Sequence, residues 1–317
     1  MKTVSELTDF YYKTLYPSLK KLDEDRKKLK SRIIKIGVIY TIIFIIIAYL
    51  ISSLSVELNG FIIFVYFVVG AIIYKLLIKD YTADFKQNII KPLIYAIEST
   101  LRYESTSHVS SHLFNRSDLF SHPDRITGND FVKGKLEDIN IEFSDIHAEK
   151  RHKDSKGRES WSTIFQGLFI VAEFNKNFDG KTIILPDTAQ STFGNLIGGW
   201  LQSKNITRDE LIKMDDVEFE KEFVVYGSDQ IEARYILSPA LMKKILTLQE
   251  RSKHPIYISF IRNHIHIAIY YNKDLFEPSI FRSLLEYKVA MEYVNTLHLS
   301  LGIVKELKLN QKLWSKK

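Results

Sequence analysis

Two long apolar blocks near the start of the chain constrain its fold more than any other feature. They cover residues 36–56 and 58–74, and neither contains a charged residue. Their lengths of 21 and 17 residues fall within the range of about 17 to 25 residues that a helix needs to span a bilayer. Only Glu57 separates the two blocks. The sequence therefore predicts a two-helix transmembrane hairpin over residues 33–78.

Basic residues on the outer flanks predict the orientation of this hairpin. The turn between the blocks contains no Lys or Arg. Basic residues close to a span stay in the cytoplasm, so we expect both termini and the soluble part of the chain there. The first block begins too late and is too long to be a cleavable signal peptide. The flanking basic residues are Lys20, Lys21, Arg26, Lys27, Lys28, Lys30, Arg32 and Lys35 before the hairpin, and Lys75, Lys79, Lys86 and Lys91 after it.

Several classes of chemistry are excluded by the sequence. The chain has no cysteine, which excludes disulfides, cysteine zinc sites and thiol nucleophiles. It has no G-x-G-x-x-G, H-E-x-x-H or G-x-S-x-G motif, and Gly180-Lys181-Thr182 lacks the earlier glycine of a phosphate-binding loop. The net charge is +6, but no zinc-finger or RNA-binding motif accompanies the basic patches, so nucleic acid is not an expected partner. No cofactor and no metal are predicted.

Helices are predicted on both sides of the hairpin. Apolar residues in residues 1–32 recur at steps near three and four with Lys between them, which predicts a basic amphipathic helix. They are Leu7, Phe10, Tyr11, Leu15, Leu19, Leu22 and Leu29. This helix lies on the inner leaflet, extends the first span, or is packed on the soluble domain. Residues 79–130 are predicted to form a juxtamembrane helix, which Pro92 kinks or restarts, and then a connector with one short helix near His112.

Residues 131–317 are predicted to form a cytoplasmic α+β domain with a mainly antiparallel sheet and covering helices. Period-two alternation and short apolar runs indicate its strands. The run 162–174 is apolar on both faces, so we expect a central strand. Arg262-Asn263 predicts a two-residue turn that pairs Ile261 with His264 and Ser259 with His266. The predicted strands are 139–144, 162–174, 181–185, 217–225, 256–261 and 264–270.

Three helices are predicted within this domain. An amphipathic helix is expected over residues 190–202. A second begins near Ser238-Pro239, with Ser as N-cap and Pro at the first helical position. A third, long helix is expected from Pro278 to near Gly302.

Two histidines share one face of the predicted strand 264–270. His264 and His266 would be able to meet a metal ion, but a catalytic zinc usually takes three protein ligands. Ser259 on the neighbouring strand is a poor third ligand. We therefore expect two exposed histidines on a polar face.

Two groups of charged residues are candidate sites. Asp229, Glu232 and Arg234 form a dense cluster. With His147 they are a candidate polar site, or the cluster caps a helix and locks it by ion pairs and hydrogen bonds. A basic run in the loop between the first two predicted strands is a candidate contact for a membrane or an anion. Its residues are Lys150, Arg151, Lys153, Lys156 and Arg158.

Several longer motifs carry a family resemblance. Residues 223–239, FVVYGSDQIEARYILSP, resemble the signature of a bacterial membrane-protein family, domain-of-unknown-function family 3137. The runs 143–149, 165–169, 273–278 and 308–314 resemble it in the same order. The resemblance implies a bacterial, membrane-anchored protein with a soluble C-terminal domain and no established activity. It implies no catalytic residues.

The predicted function is a membrane-anchored binding or scaffolding module at the bacterial inner membrane, with an unknown ligand. Two alternatives remain open. One is an enzyme that acts on a lipid or a membrane-associated substrate, although no catalytic motif is recognisable. The other is a structural subunit of a membrane assembly, for which Gly70-Ala71 in the second span is a weak signal of close helix approach. The expected partners are the lipid bilayer, another membrane or cytoplasmic protein, and a second copy of the chain.

Overall fold

The computed structural model describes residues 2–51, 56–136, 138–173, 178–187 and 210–307. The chain divides into two compact units. The helical unit contains Val4–Leu93 and Phe276–Val294. The sheet unit contains Met1–Thr3, Ile94–Leu275 and Asn295–Lys317.

Long helices dominate the helical unit. They are α1 (Val4–Lys13), α2 (Tyr16–Ile51) and α3 (Val56–Phe85), followed by a π-helical turn (Lys86–Ile90) and α4 (Lys91–Ile97). The apolar windows of α2 and α3 are long enough to cross a membrane, and none of their residues is buried. The two predicted spans are thus present as helices of the right length and composition. The two helices contact each other through stacked rings of Tyr40 and Tyr66, whose centroids are 4.9 Å apart.

The N-terminal stripe is buried inside the helical unit. Leu7, Tyr11 and Leu19 are fully buried, and the Tyr11 hydroxyl donates a hydrogen bond of 2.9 Å to the Leu284 carbonyl. The part of α2 before residue 33 continues directly into the first span. An extension of the first span was one of the three alternatives given for residues 1–32. Because the stripe contacts protein, it presents no apolar face to a bilayer surface.

A local change of helix type precedes Pro92. The π-helical turn Lys86–Ile90 ends where α4 begins. A proline ring clashes with the carbonyl four residues earlier, and a π turn widens the helix at that point. The predicted kink or restart therefore occurs as a π turn. Ile89, Ile90 and Leu93 of the predicted stripe are fully buried.

Antiparallel pairs form the sheet unit, which confirms the predicted α+β class. Within the described residues the sheet has nine strands in the order β1-β2-β3-β4-β9-β8-β5-β7-β6. The strands are β1 (Arg102–Glu104), β2 (Arg125–Leu136), β3 (Ile139–Lys153), β4 (Glu159–Glu173), β5 (Lys181–Pro186), β6 (Glu210–Ile212), β7 (Phe223–Gly227), β8 (Ile256–Ile261) and β9 (His264–Tyr270).

Helices accompany the sheet at several points of the chain. They are α5 (Ser111–Arg116), α6 (Val217–Glu222), α7 (Gln230–Ile236), α8 (Pro239–Ser252) and α9 (Tyr287–Glu306). Helix α5 confirms the short helix predicted near His112, and α8 begins as predicted, since the Ser238 side chain accepts a hydrogen bond from the Leu241 N–H. The helix predicted over residues 190–202 lies outside the described residues.

The central strand and the hairpin register were predicted correctly. Strand β4 lies between β3 and β9. In the β8–β9 hairpin, Ile261 pairs with His264 and Ser259 pairs with His266. A two-residue turn fixes register because it determines which residues face each other next to the loop.

The strand predicted over residues 217–225 is wrong in its first half. Residues Val217–Glu222 form α6 and only Phe223–Gly227 form a strand. Asp216 caps the helix by accepting hydrogen bonds from the N–H groups of Glu218 and Phe219. Phe219 and Phe223 are buried four residues apart, while Val217 is 67% exposed. The spacing of the phenylalanines suits a helix as well as a strand, and the cap decides between them.

Two further boundaries differ from the prediction. The long C-terminal helix begins at Tyr287, not at Pro278. The Glu286 carbonyl accepts hydrogen bonds from the N–H groups of Val289 and Ala290, as the carbonyl of the residue before a helix does. Strand β2 also begins inside the predicted connector. Its register shifts after Asn129, and this bulge interrupts the alternation that identifies a strand.

Candidate functional site

The predicted charged cluster after β7 holds the chain together locally. Asp229 is the N-cap of α7 and accepts hydrogen bonds from the N–H groups of Ile231 and Glu232. The Glu232 carboxylate accepts hydrogen bonds from the Asp179 N–H (3.0 Å) and the Gly180 N–H (2.8 Å). The two carboxylates therefore bind backbone N–H groups and fix the turn before β5 to α7.

Two other members of the predicted site lie apart from these acids. Arg234 donates a hydrogen bond of 2.9 Å to the Lys213 carbonyl. His147 lies on β3, where its Nε2 is 3.0 Å from Thr163 Oγ1. Strands β3 and β7 are five positions apart in the sheet, which at about 4.8 Å per strand separates them by roughly 24 Å. The structure does not bring His147 to the cluster.

The predicted basic run lies at the end of the β3–β4 hairpin. Lys150 is 3.7 Å from Asp124, Arg151 is 3.4 Å from Glu159, and Arg158 is 2.7 Å from Asp154. Nearby carboxylates therefore pair three of the five basic residues. Lys153 and Lys156 are exposed and have no ion-pair partner in the described part of the chain.

An aromatic residue accompanies these two free lysines. Trp161 on β4 is 42% exposed. The Arg125 guanidinium lies 4.3 Å from the centre of its ring and also pairs with Glu149 at 2.6 Å. The hairpin end therefore carries positive charge next to an exposed indole.

The prediction of two exposed histidines is wrong for His266. His266 is fully buried, and His264 is partly buried. Residues between β1 and β2 cover this face of the sheet. Phe114 of α5, Val109 and Leu119 form one apolar core cluster with sheet residues that include Phe169 and Ala268. The alternation of β9 showed which residues share a face, but not that another segment covers that face.

The hydrogen bonds around His266 define its tautomer. The Ser259 hydroxyl donates its single proton to the Ser117 carbonyl at 2.6 Å. His266 Nδ1 is 3.3 Å from the same hydroxyl oxygen, so Nδ1 carries a proton and donates it. Nε2 is then a bare acceptor, and it is buried without a hydrogen-bond partner. Burial is the largest cause that lowers the pKa of His266 to about 3, followed by the charges of His264 and Arg116. The ring is neutral at pH 7.

Beside these histidines is a cavity of about 390 Å³. Its volume falls within the range of about 300 to 1,000 Å³ that is typical of small-molecule sites. Strands β2, β3, β4 and β9 form its floor, and α5 contributes one side chain. The lining residues are Leu113, Lys133, Gly134, Asn140, Ile141, Glu142, Val171, Glu173 and His264.

Charges of both signs line this cavity without neutralising each other. Lys133 and Glu142 are direct neighbours across β2 and β3, yet they form no ion pair within 4 Å in the described structure. Glu173 accepts a hydrogen bond of 2.8 Å from the Asn140 side chain. Lys133 is exposed and Glu142 is partly buried, so both side chains are available to a ligand.

His264 adds a neutral imidazole to the cavity. It pairs with Glu173 across β9 and β4, and its Nδ1 is buried without a hydrogen-bond partner. Burial lowers its pKa, Arg116 lowers it further, and Glu173 acts in the opposite direction. Unpartnered buried polar atoms are rare in proteins and are normally satisfied by a water or a ligand. Among the described residues, no group of three His, Asp or Glu side chains is placed to hold a metal ion.

The fold and these spans define a membrane-associated α+β protein with a polar cavity in its sheet unit. Residues 163–309 match the family model described as "Protein of unknown function (DUF3137)", which confirms the predicted family resemblance over that range. The comparison with curated proteins gave no significant match. Among solved structures, the mycobacterial trehalose monomycolate transport factor A, TtfA, is similar over 66% of this chain and 93% of its own chain, with 12% identity and a TM-score of 0.35. A likeness of that size supports no argument about function.

Proposed function

We propose that this protein is a two-span protein of the bacterial inner membrane whose sheet unit is a cytoplasmic binding module for a small polar ligand. The cavity beside α5 carries the proposal. Lys133 and Glu142 line it without an ion pair, and His264 is a further lining residue. Groups of this kind, gathered in a concave site, are typical of ligand binding.

The membrane part of the proposal is supported by the surface of α2 and α3. Leu50 is 69% exposed and Phe67 is 67% exposed, and large apolar side chains exposed in this number are unfavourable in water. The basic residues that flank the hairpin support the cytoplasmic orientation.

Reporter fusions test the orientation directly. A reporter that is active only in the cytoplasm, fused after residue 317, should be active. The same reporter placed in the turn between the spans should be inactive. Activity of an export-dependent reporter at the C-terminus would contradict the proposed topology.

A variant that fills the cavity tests the binding part. Leu113→Trp places a larger side chain at the wall of the cavity, and Leu211→Trp is the matched control because Leu211 is 55% exposed on β6. Native mass spectrometry of the full chain, released from its membrane in detergent, should show a bound small molecule in wild type and in the control. The bound mass should be absent from Leu113→Trp. Equal bound mass in both variants would contradict the site.

The β3–β4 hairpin supports a second contact, with anionic lipid headgroups. The specific observation is that one hairpin carries two free lysines, Lys153 and Lys156, and the exposed ring of Trp161. A lysine close to an anionic surface contributes roughly 1 kcal/mol, and Trp is favoured at the membrane interface. Replacing both lysines by Gln should weaken the binding of phosphatidylglycerol vesicles to the cytoplasmic side of the full chain. Lys243→Gln is the control. Unchanged capture would argue against this contact.

The structure gives less support to the two alternative functions, an enzyme and a subunit of a membrane assembly. The enzyme hypothesis named His147, Asp229, Glu232 and Arg234. Five strand positions of the sheet separate His147 on β3 from the other three, which follow β7. The assembly hypothesis relied on Gly70-Ala71. A side chain at Gly70 would be 3.5 Å from the Tyr40 ring of the same chain, so the small residue already serves contact between the protein's own two spans.

A further inference from the structure

The arrangement of charge in the cavity indicates which ligand chemistry it suits. Lys133 lies on β2, Glu142 on β3 and Glu173 on β4, which are consecutive strands of the sheet. The positive charge is therefore at one side of the cavity. The carboxylate of Glu173 and the imidazole of His264 are toward the other side, about 10 Å away when measured between the backbones of β2 and β4.

Ligands that carry one sign of charge fit this arrangement poorly. An anion beside Lys133 would face Glu142 and Glu173, and a simple cation would leave Lys133 unpaired next to it. In both cases the ligand lies beside a charge of its own sign, which is unfavourable. A ligand that carries both charges, one at each end, satisfies all three side chains.

The cationic end of the ligand can be specified further. Carboxylates and a neutral imidazole accept hydrogen bonds, so they suit a primary ammonium group with three N–H donors. Quaternary ammonium groups are recognised instead by aromatic rings. The residues described around the cavity include no Trp, Tyr or Phe.

We infer that the cavity binds a small zwitterion with a primary ammonium group at one end and an anionic group at the other, the ammonium on Glu142, Glu173 and His264 and the anion on Lys133. This inference rests on the proposed binding function and names its ligand class. Phosphoethanolamine has this chemistry, both as a free molecule and as a lipid headgroup.

Four probes test the inference on the full chain in phosphatidylglycerol nanodiscs. Isothermal titration should show that O-phosphoethanolamine binds at least tenfold more tightly than ethanolamine, inorganic phosphate or phosphocholine. Lys133→Gln and Glu142→Gln should each weaken its binding by about tenfold, which corresponds to about 1.4 kcal/mol. Lys243→Gln and Glu218→Gln change exposed residues that do not line the cavity and should leave binding unchanged.

A second arm distinguishes the source of the headgroup. Nanodiscs that contain phosphatidylethanolamine should abolish binding of the free probe if the lipid headgroup occupies the cavity, and should not affect it if the ligand is a free molecule. Both results support the zwitterion.

Contrary results distinguish a failure of the zwitterion inference from a failure of the proposed binding function. Equal affinity for phosphate and O-phosphoethanolamine, or binding of no probe, would overturn the zwitterion inference. If the bound mass in wild type is nevertheless lost in Leu113→Trp, the cavity still binds a ligand and the proposed function stands. If Leu113→Trp also leaves the bound mass unchanged, the proposed function fails as well.

Discussion

Two groups of charged residues in the sheet unit differ in how their charges are used. Around α7, Asp229 and Glu232 accept hydrogen bonds from four backbone N–H groups. In the cavity, Lys133 and Glu142 face each other across two strands and form no ion pair in the described structure. The first group is close in sequence and binds backbone N–H groups of its own helix and of the turn before β5. The second is dispersed along the chain and is left unsatisfied by the fold. A dense charged motif is thus not by itself a site, whereas dispersed charges that a sheet gathers can be one.

The largest expected effect is the response to acid of the buried histidine face beside the cavity, in contrast to the α7 group. His266 is held neutral with a pKa near 3, while in the unfolded chain it takes up a proton near pH 6.5. Between these values the unfolded state binds more protons, so stability is present above about pH 6.5 and is lost as the pH falls toward 3. The loss is at most about 1.4 kcal/mol per pH unit for one group.

Hydrogen exchange of the full chain checks this expectation. After correction for intrinsic rates, the amides of α5, β8 and β9 should lose protection from pH 6 to pH 4 before those of α7. The groups facing His266 are His264, Arg116, Asp118 and Ser259. His266→Gln should reduce the pH dependence of this protection. His152→Gln, which removes an exposed histidine, should leave that pH dependence unchanged. Earlier loss of protection in α7 would contradict the comparison.

The second-largest expected effect is on the local stability of the charged group around α7. Glu232→Ala removes the acceptor of the Asp179 and Gly180 N–H groups, and we expect a local destabilisation of about 2 kcal/mol because these hydrogen bonds involve a charged group. Exchange at the amides before β5 and in α7 should become faster by about thirtyfold, since 1.4 kcal/mol is a factor of ten. Affinity for O-phosphoethanolamine should be unchanged. A loss of affinity in this variant would place Glu232 in the binding site.

The smallest expected effect is on stability at the cavity itself. Lys133 and Glu142 make no ion pair in the described structure, so Lys133→Gln and Glu142→Gln should change protection of β2 and β3 by less than about 0.5 kcal/mol. The same variants are expected to weaken ligand binding. Marked destabilisation in the absence of ligand would show that these charges support the fold, and would remove the contrast between the two groups.

Sequence reasoning succeeded where the pattern is local. The spans followed from two apolar blocks, because any uncharged apolar helix of that length must leave water. The β8–β9 register followed from Arg262-Asn263, because a two-residue turn and period-two alternation together determine which residues pair. Neither conclusion requires knowledge of a distant part of the chain.

It failed where two local patterns were equally compatible with the same residues. Phe219 and Phe223 fit a helix or a strand, and the Asp216 cap decided for a helix. Strand β2 was missed because Asp130, with a φ of 59°, and the register shift after Asn129 interrupt its alternation. The cavity was missed with it, since Lys133 lies on that strand.

The sequence by itself determined that two helices have the length and apolar composition of membrane spans, the α+β class and the β8–β9 pairing, because these depend on composition and periodicity over a few residues. Only the tertiary structure decided that His266 is buried, that the acids around α7 bind backbone, and that Lys133, Glu142, Glu173 and His264 surround one cavity. These features depend on which distant segments cover a given face. Residues 105–122, which were predicted as a connector, cover the histidine face, and burial there changes the protonation of a side chain that would otherwise be exposed.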